Sequence, residues 1–189
     1  MAHTPLVTAL GGNDTILRKV AMVLFGSLLV GMSAQISVPM FPVPMTLQTF
    51  AIMLIGLTYG WRLAGATMVT YLGQGAMGFP VFAGGAAGIA PLVGPTAGFL
   101  FGFILMAVAM AVLVERGLSR GFGLFVAAVV ATALLFVPGV LWLTAATPLD
   151  LQGAFMAGAA PFLVGELVKA ALAALIVTGA FAALKKRLS

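Results

Sequence analysis

The chain has 189 residues, 62% of them hydrophobic and only 7% charged, with a net charge of +5. A soluble domain of this size cannot hide so much apolar surface in one core, and a mean hydropathy of +1.21 belongs to an integral membrane protein. With no cysteine and one histidine, His3, the sequence excludes disulfides and Cys/His metal sites.

Residues 1–17 (MAHTPLVTALGGNDTIL) lack the basic region and cleavage box of a secretory signal, so they read as a retained cytoplasmic tail. A membrane domain over residues 18–189 follows, in six apolar runs: Val20–Ser37, Thr46–Tyr59, Leu63–Met77, Pro95–Val114, Phe122–Ala145 and Pro161–Leu184. At about 20 residues per crossing the length allows roughly six transmembrane helices and no second domain. Runs two and three are short, roughly 21–23 Å of helix. Sustained period-two alternation is absent and glycine recurs at helical spacing, so an all-α bundle is expected and a β-barrel is not.

Charge sets the orientation. Arg18 and Lys19 precede run one, Arg62 separates runs two and three, and Arg116 and Arg120 separate runs four and five. Lys185, Lys186 and Arg187 follow run six. Six crossings place all of these on one side, which the positive-inside rule makes cytoplasmic, together with both termini. Topology therefore accounts for the high pI of 10.3 without nucleic acid. The prolines gather on the opposite side: Pro39, Pro42 and Pro44, then Pro80, Pro91 and Pro95, then Pro148 and Pro161. Irregular backbone at membrane depth is tolerated only where it is buried or lines a cavity, so the outer face is expected to carry a pocket.

Glu166 and Lys169 lie inside run six, where nothing else is charged before Lys185. An ionisable group at membrane depth costs roughly 2.5–3.5 kcal/mol on insertion scales and normally faces a partner or a wet cavity. A spacing of three puts both groups on one helix face, about 9 Å in from the outer end of run six at 1.5 Å per residue. The pair either neutralises itself or meets a ligand carrying an anionic group and hydrogen-bond donors. In the segment Val38–Phe50, Thr46, Gln48 and Thr49 open a short apolar run. Gln48 can serve a ligand amide or ureido group, and Thr46 can equally be a helix cap. The glycine-rich segment Gly73–Gly98 reads as a folded or re-entrant loop whose Phe79 and Phe82 can clamp an apolar ring. Small residues every four positions, Gly94, Gly98 and Gly102 in run four and Ser27 and Gly31 in run one, suit close helix packing. The run-one pair can equally serve as a docking face. No catalytic constellation or nucleotide-binding loop is present, so an enzyme is not expected.

The segments PVPMTLQTFAIMLIGLTYG, YLGQGAMGFPVFAGG, GPTAGFLFGF and PFLVGELVKAALAAL, in this order and spacing, resemble the BioY family. These are biotin-binding S components of energy-coupling factor (ECF) transporters, and the resemblance runs from Arg18 onward. It implies a six-helix S-component bundle in a bacterial-type cytoplasmic membrane, in contact with lipid, with biotin as transported substrate and no cofactor. It also implies partners, a transmembrane coupling protein and two ATPases, with Ser27 and Gly31 as candidate contacts. Lys169 and Glu166 correspond to the family's ligand-contacting acid-x-x-Lys pair, although the acid there is commonly Asp. Some members carry a polar residue beside the PVF segment, where this chain has Gly84 and Gly85. Gln48 and Thr46 are further polar candidates, and Tyr71, Phe79, Val81 and Phe82 are candidate walls. The valerate carboxylate fits Lys169 and the ureido group fits Glu166 or Gln48, with the reverse arrangement also open. The alternatives are an S component for thiamine or riboflavin, or a purely structural membrane subunit.

Overall fold

A computed structural model describes residues 15–188, with side chains through residue 183. The expectations for His3 and residues 1–14, and for the side chains of Lys185, Lys186 and Arg187, lie outside the described residues. Eight α-helices are described: α1 (Ile16–Gln35), α2 (Gln48–Thr58), α3 (Trp61–Ala76), α4 (Ala90–Val93), α5 (Ala97–Glu115), α6 (Phe122–Ala146), α7 (Leu151–Gly158) and α8 (Leu163–Leu188). Four stretches are long and apolar enough to cross a membrane: α1, α5, α6, and the run from Leu151 to Ala183 that holds α7 and α8. The protein is a multi-pass, predominantly α-helical membrane protein.

Each of the six expected runs contains a helix of 11 residues or more, with shifted ends. The supposed tail overlaps α1, because Thr15 caps that helix by accepting from the Arg18 N–H at 3.4 Å. The short second run is shorter still, since α2 has 11 residues. A two-stranded antiparallel ribbon, β1 (Ser37–Val38) and β2 (Met45–Thr46), takes up its start and is the one departure from an all-α fold among the described residues. Prolines at 39, 42 and 44 forbid helix there, and pairing Ser37 with Thr46 satisfies the backbone instead. The helix α7, which apolar runs alone did not separate, is started by Asp150, whose carboxylate accepts from the Gly153 N–H at 2.8 Å.

The bundle is wound around α2. This helix packs against α1, α5 and α8, and its residues Ala51, Ile52, Met53, Ile55 and Leu57 are buried. A helix enclosed by others need not match the hydrocarbon thickness itself, and α2 has only 11 residues. α5 and α6 lie in close contact because their facing positions are small. A Cβ on Gly98 would strike Trp142 and the Pro138 carbonyl, and one on Gly139 would strike the Phe99 ring. Gly98 and Gly102 of the run-four stripe are thus internal packing, as their spacing suggested, whereas Gly94 lies outside α5 and caps α4. At the far end of the bundle Glu115 closes α5 and accepts from the Trp61 N–H at 3.1 Å, tying the start of α3 to it.

Candidate functional site

Eight segments converge at the proline-rich end: the ribbon, the start of α2, the loop after α3, α4, the start of α5, the middle of α6, the end of α7 and the start of α8. They enclose a cavity of about 190 Å³. Its walls are mainly apolar, with Phe82, Phe99, Phe103, Leu135, Phe136 and Phe162 prominent. Thr46, Gln48, Thr49, Thr96 and Glu166 supply the polar lining. An apolar cleft with a few convergent polar groups is the ordinary form of a small-molecule site.

Glu166 and Lys169 are ion-paired at 2.7 Å, and Glu166 is only 6% exposed. The acid sits in the first turn of α8, where the helix dipole favours a negative charge. Its Oε1 accepts from Lys169 Nζ at 2.7 Å and from the Thr49 hydroxyl at 2.7 Å. Its Oε2 is buried and has no partner among the described residues. A buried acceptor without a donor costs about 1–3 kcal/mol, and more when charged, so this oxygen is poised for a donor from outside the chain.

Lys169 does more than balance that charge. Its ammonium donates to the Thr46 carbonyl at 2.7 Å, the Thr49 hydroxyl at 2.9 Å and Glu166 Oε1, so α8 is fastened to both the ribbon and α2. The lysine stands behind the carboxylate and is not among the cavity's lining residues. Gln48 is held on the wall from two sides. Its Nε2 donates to the Tyr71 hydroxyl at 2.6 Å, and its Oε1 accepts from the Thr46 hydroxyl at 3.0 Å. Tyr71 is fully buried, and its hydroxyl donates to the Val81 carbonyl at 3.2 Å. It therefore orients Gln48 and the loop behind the wall instead of forming the wall itself.

Of the proposed aromatic clamp, only Phe82 reaches the cavity. Its ring fills a slot over Gly75, which has no Cβ to obstruct it, and meets Tyr71 edge-on at 5.5 Å. Phe79 is 56% exposed and stands apart, because the chain turns at Gly78 (φ +98°) before re-entering at Val81. Gly84 is a turn residue with φ +67° in a 3-10 helix and is exposed, so its role is backbone geometry and not wall formation.

Ser27 and Gly31 are buried and face inward on α1. The Ser27 hydroxyl donates to the Leu24 carbonyl at 2.9 Å, and Gly31 leaves room for Val81 of the loop. The outward side of α1 carries Leu24, Phe25, Leu28 and Met32.

Thr49 was grouped with Gln48 in the sequence but not singled out, although its hydroxyl joins the acid to the base. Phe99, Phe103 and Phe162 were hidden among other apolar residues, and no local signal separates them from lipid-facing phenylalanines. Gln35, at the end of α1, was also missed. Its Nε2 donates to the Phe82 carbonyl at 3.1 Å, and its Oε1 accepts from the Gly85 N–H at 2.9 Å. The clue was a long polar side chain immediately before a proline-rich loop.

This arrangement is that of a multi-pass membrane protein with the S-component fold. It is similar to the S-component for biotin from an ECF-type ABC transporter, with a TM-score of 0.79 over 89% of this chain and 93% of that one, at 20% identity. The BioY family model matches residues 4–186, and the chain belongs to the BioY family. Relatives include the probable biotin transporter BioY of Pyrococcus horikoshii, 36% identical over 84% of this chain and 93% of that protein. The biotin transporter BioY of Thermotoga maritima is 39% identical over 78% of this chain and 86% of that protein.

Proposed function

We propose that this protein is the biotin-binding S component of an ECF-type uptake transporter. It captures biotin at the outer face of the cytoplasmic membrane and hands it to import driven by a coupling protein and two ATPases. The observation that carries this reading is the buried Glu166 Oε2, without a partner among the described residues, beside Gln48 in a mainly apolar cavity. Biotin's ureido N–H groups are neutral donors suited to that oxygen, its ureido carbonyl suits the second Nε2 hydrogen of Gln48, and its thiophane ring suits the phenylalanine walls. Lys169 and Thr49 act by holding the carboxylate in place.

The membrane arrangement proposed with this function has six crossings, by α1, α2, α3, α5, α6 and α8, with both termini cytoplasmic. Basic residues at 18, 19, 62, 116 and 120 support it, since all fall at helix ends away from the cavity. Contacts of α1 with the coupling protein fall on Leu24, Phe25, Leu28 and Met32, since Ser27 and Gly31 are taken up inside.

Mass spectrometry of the small molecule released from the purified protein, joined to a titration with biotin, tests the function. Biotin release and saturable biotin binding are expected. Release of thiamine or riboflavin would reassign the substrate, and absence of any ligand with no biotin binding would favour a structural subunit.

A further inference from the structure

Glycine weakens a helix relative to alanine, so replacing a helical glycine by alanine is favourable wherever a methyl group fits. At Gly73 on α3 one fits, because a Cβ there would meet nothing within 4 Å. At Gly75, half a turn further on, and at Gly139 on α6, it does not. Each of these two lies behind a phenylalanine whose ring lines the cavity, and neither lines the cavity itself. A Cβ on Gly75 would overlap three atoms of the Phe82 ring, and a Cβ on Gly139 three atoms of the Phe99 ring. Both overlaps fall far inside the roughly 3.5–4.0 Å at which carbon atoms rest. Gly158 on α7 flanks the same Phe99 ring, since a Cβ there would stand 3.1 Å from its Cζ.

The open space beside each ring is the cavity, and the backbone behind each ring is fixed. The Phe82 carbonyl accepts from Gln35 Nε2 at 3.1 Å, its N–H donates to the Ala86 carbonyl at 3.1 Å, and its ring meets Tyr71 edge-on. Phe99 stands in the first turn of α5, where Gly98 keeps that helix in close contact with Pro138 and Trp142 of α6. Resting on the biotin reading above, we infer that Gly75 and Gly139 are positioning residues that set the ring size the site admits. They let Phe82 and Phe99 stand back, and so keep open the apolar space that a second, fused ring needs. A methyl group at either position drives a phenylalanine into that space, and the clash selects against a bicyclic ligand while sparing a monocyclic one.

Titration of the purified full-length protein with biotin and desthiobiotin tests this. Desthiobiotin keeps the ureido ring and the acid but lacks the second closed ring. Gly75→Ala and Gly139→Ala are each expected to lower the affinity ratio of biotin to desthiobiotin by at least about tenfold, whereas Gly73→Ala keeps it within about twofold. In a Phe82→Leu background the Gly75→Ala step is expected to lose most of its effect, moving the ratio by less than about threefold, and Phe99→Leu should do the same for Gly139→Ala. A purely structural role would lower both affinities together and leave the ratio fixed. Alanine variants that keep the parent's ratio within about threefold, or shift it equally with and without the phenylalanine, overturn this inference and leave the biotin assignment standing. If one alanine variant fails to fold, the other, on a separate helix, decides alone. Failure of the parent to bind biotin overturns both readings.

Discussion

Glu166 and Lys169 are coupled through shared partners, so removing one damages the other. Lys169→Ala leaves a buried carboxylate without its cation, a change worth about 3–5 kcal/mol of stability for buried pairs. It also frees Glu166 to rotate away from the wall, so biotin affinity is expected to fall by at least about a hundredfold, while Lys185→Ala leaves binding unchanged. Equal affinities for the two variants in a titration would remove Lys169 from the site. Adding Glu166→Gln to Lys169→Ala is expected to recover much of the lost thermal stability, because the stranded charge is gone, without recovering binding. Thermal melts of the single and double variants in detergent decide this, and strictly additive losses would contradict the coupling. Tyr71→Phe is milder. It removes the hydroxyl that accepts from Gln48 Nε2 and should weaken biotin by about tenfold, from the cost of one unpaired buried donor. This pair was legible in the sequence because charge inside an apolar run is an anomaly of cost. The opposite holds for Thr49 and Phe99, which break no rule of composition and become visible only when helices distant in sequence are brought together.

The loop after α3 is held by two fastenings on different elements. Phe82 is seated in the slot left by Gly75 on α3, and Gln35 on α1 clasps the loop backbone at Phe82 and Gly85. Because this loop supplies Phe82, Ala83 and Ala86 to the cavity, loosening it should speed ligand escape more than it slows entry. Gln35→Ala is expected to raise the biotin dissociation rate severalfold, with an association rate within about twofold of the parent. A dissociation rate equal to the parent's in a stopped-flow chase would show that the clasp does not retain ligand. Phe82→Ala should cost far more affinity than Phe79→Ala, whose side chain is exposed and away from the cavity. Sequence reasoning treated the two phenylalanines alike because both sit in the same glycine-rich segment. The turn at Gly78 separates them, and the sign of a glycine's φ is not written in its neighbours. The helices themselves were legible from apolar runs, and the prolines marked where regular structure fails. What the prolines did not show is that the failure takes the form of a ribbon pairing residues 37–38 with 45–46.

At the scale of the whole molecule, one end carries the basic residues and the other carries the loops, cavity and prolines. That polarity was readable from the spacing of arginine and proline, since arginine is kept to the cytoplasmic ends and most prolines fall where helix gives way to loop; Pro138, inside α6, is the exception. Whether α2 crosses the membrane is the demanding part, because 11 residues of helix span about 16 Å, well short of a hydrocarbon core of about 30 Å. Its burial among α1, α5 and α8 removes the need to match lipid along its own length. The absence of native cysteine makes a direct check clean. Single cysteines at Val38 and Arg62, both exposed, flank α2, and single cysteines at Arg120 and Gln152, also exposed, flank α6. In intact cells a membrane-impermeant maleimide is expected to label Val38→Cys and Gln152→Cys but not Arg62→Cys or Arg120→Cys, which should react only after permeabilisation. If Arg62→Cys labelled from outside while Arg120→Cys did not, α2 would be a re-entrant segment and the count of crossings would change. The cavity would keep its side of the membrane, since α6 alone separates Arg120 from Gln152.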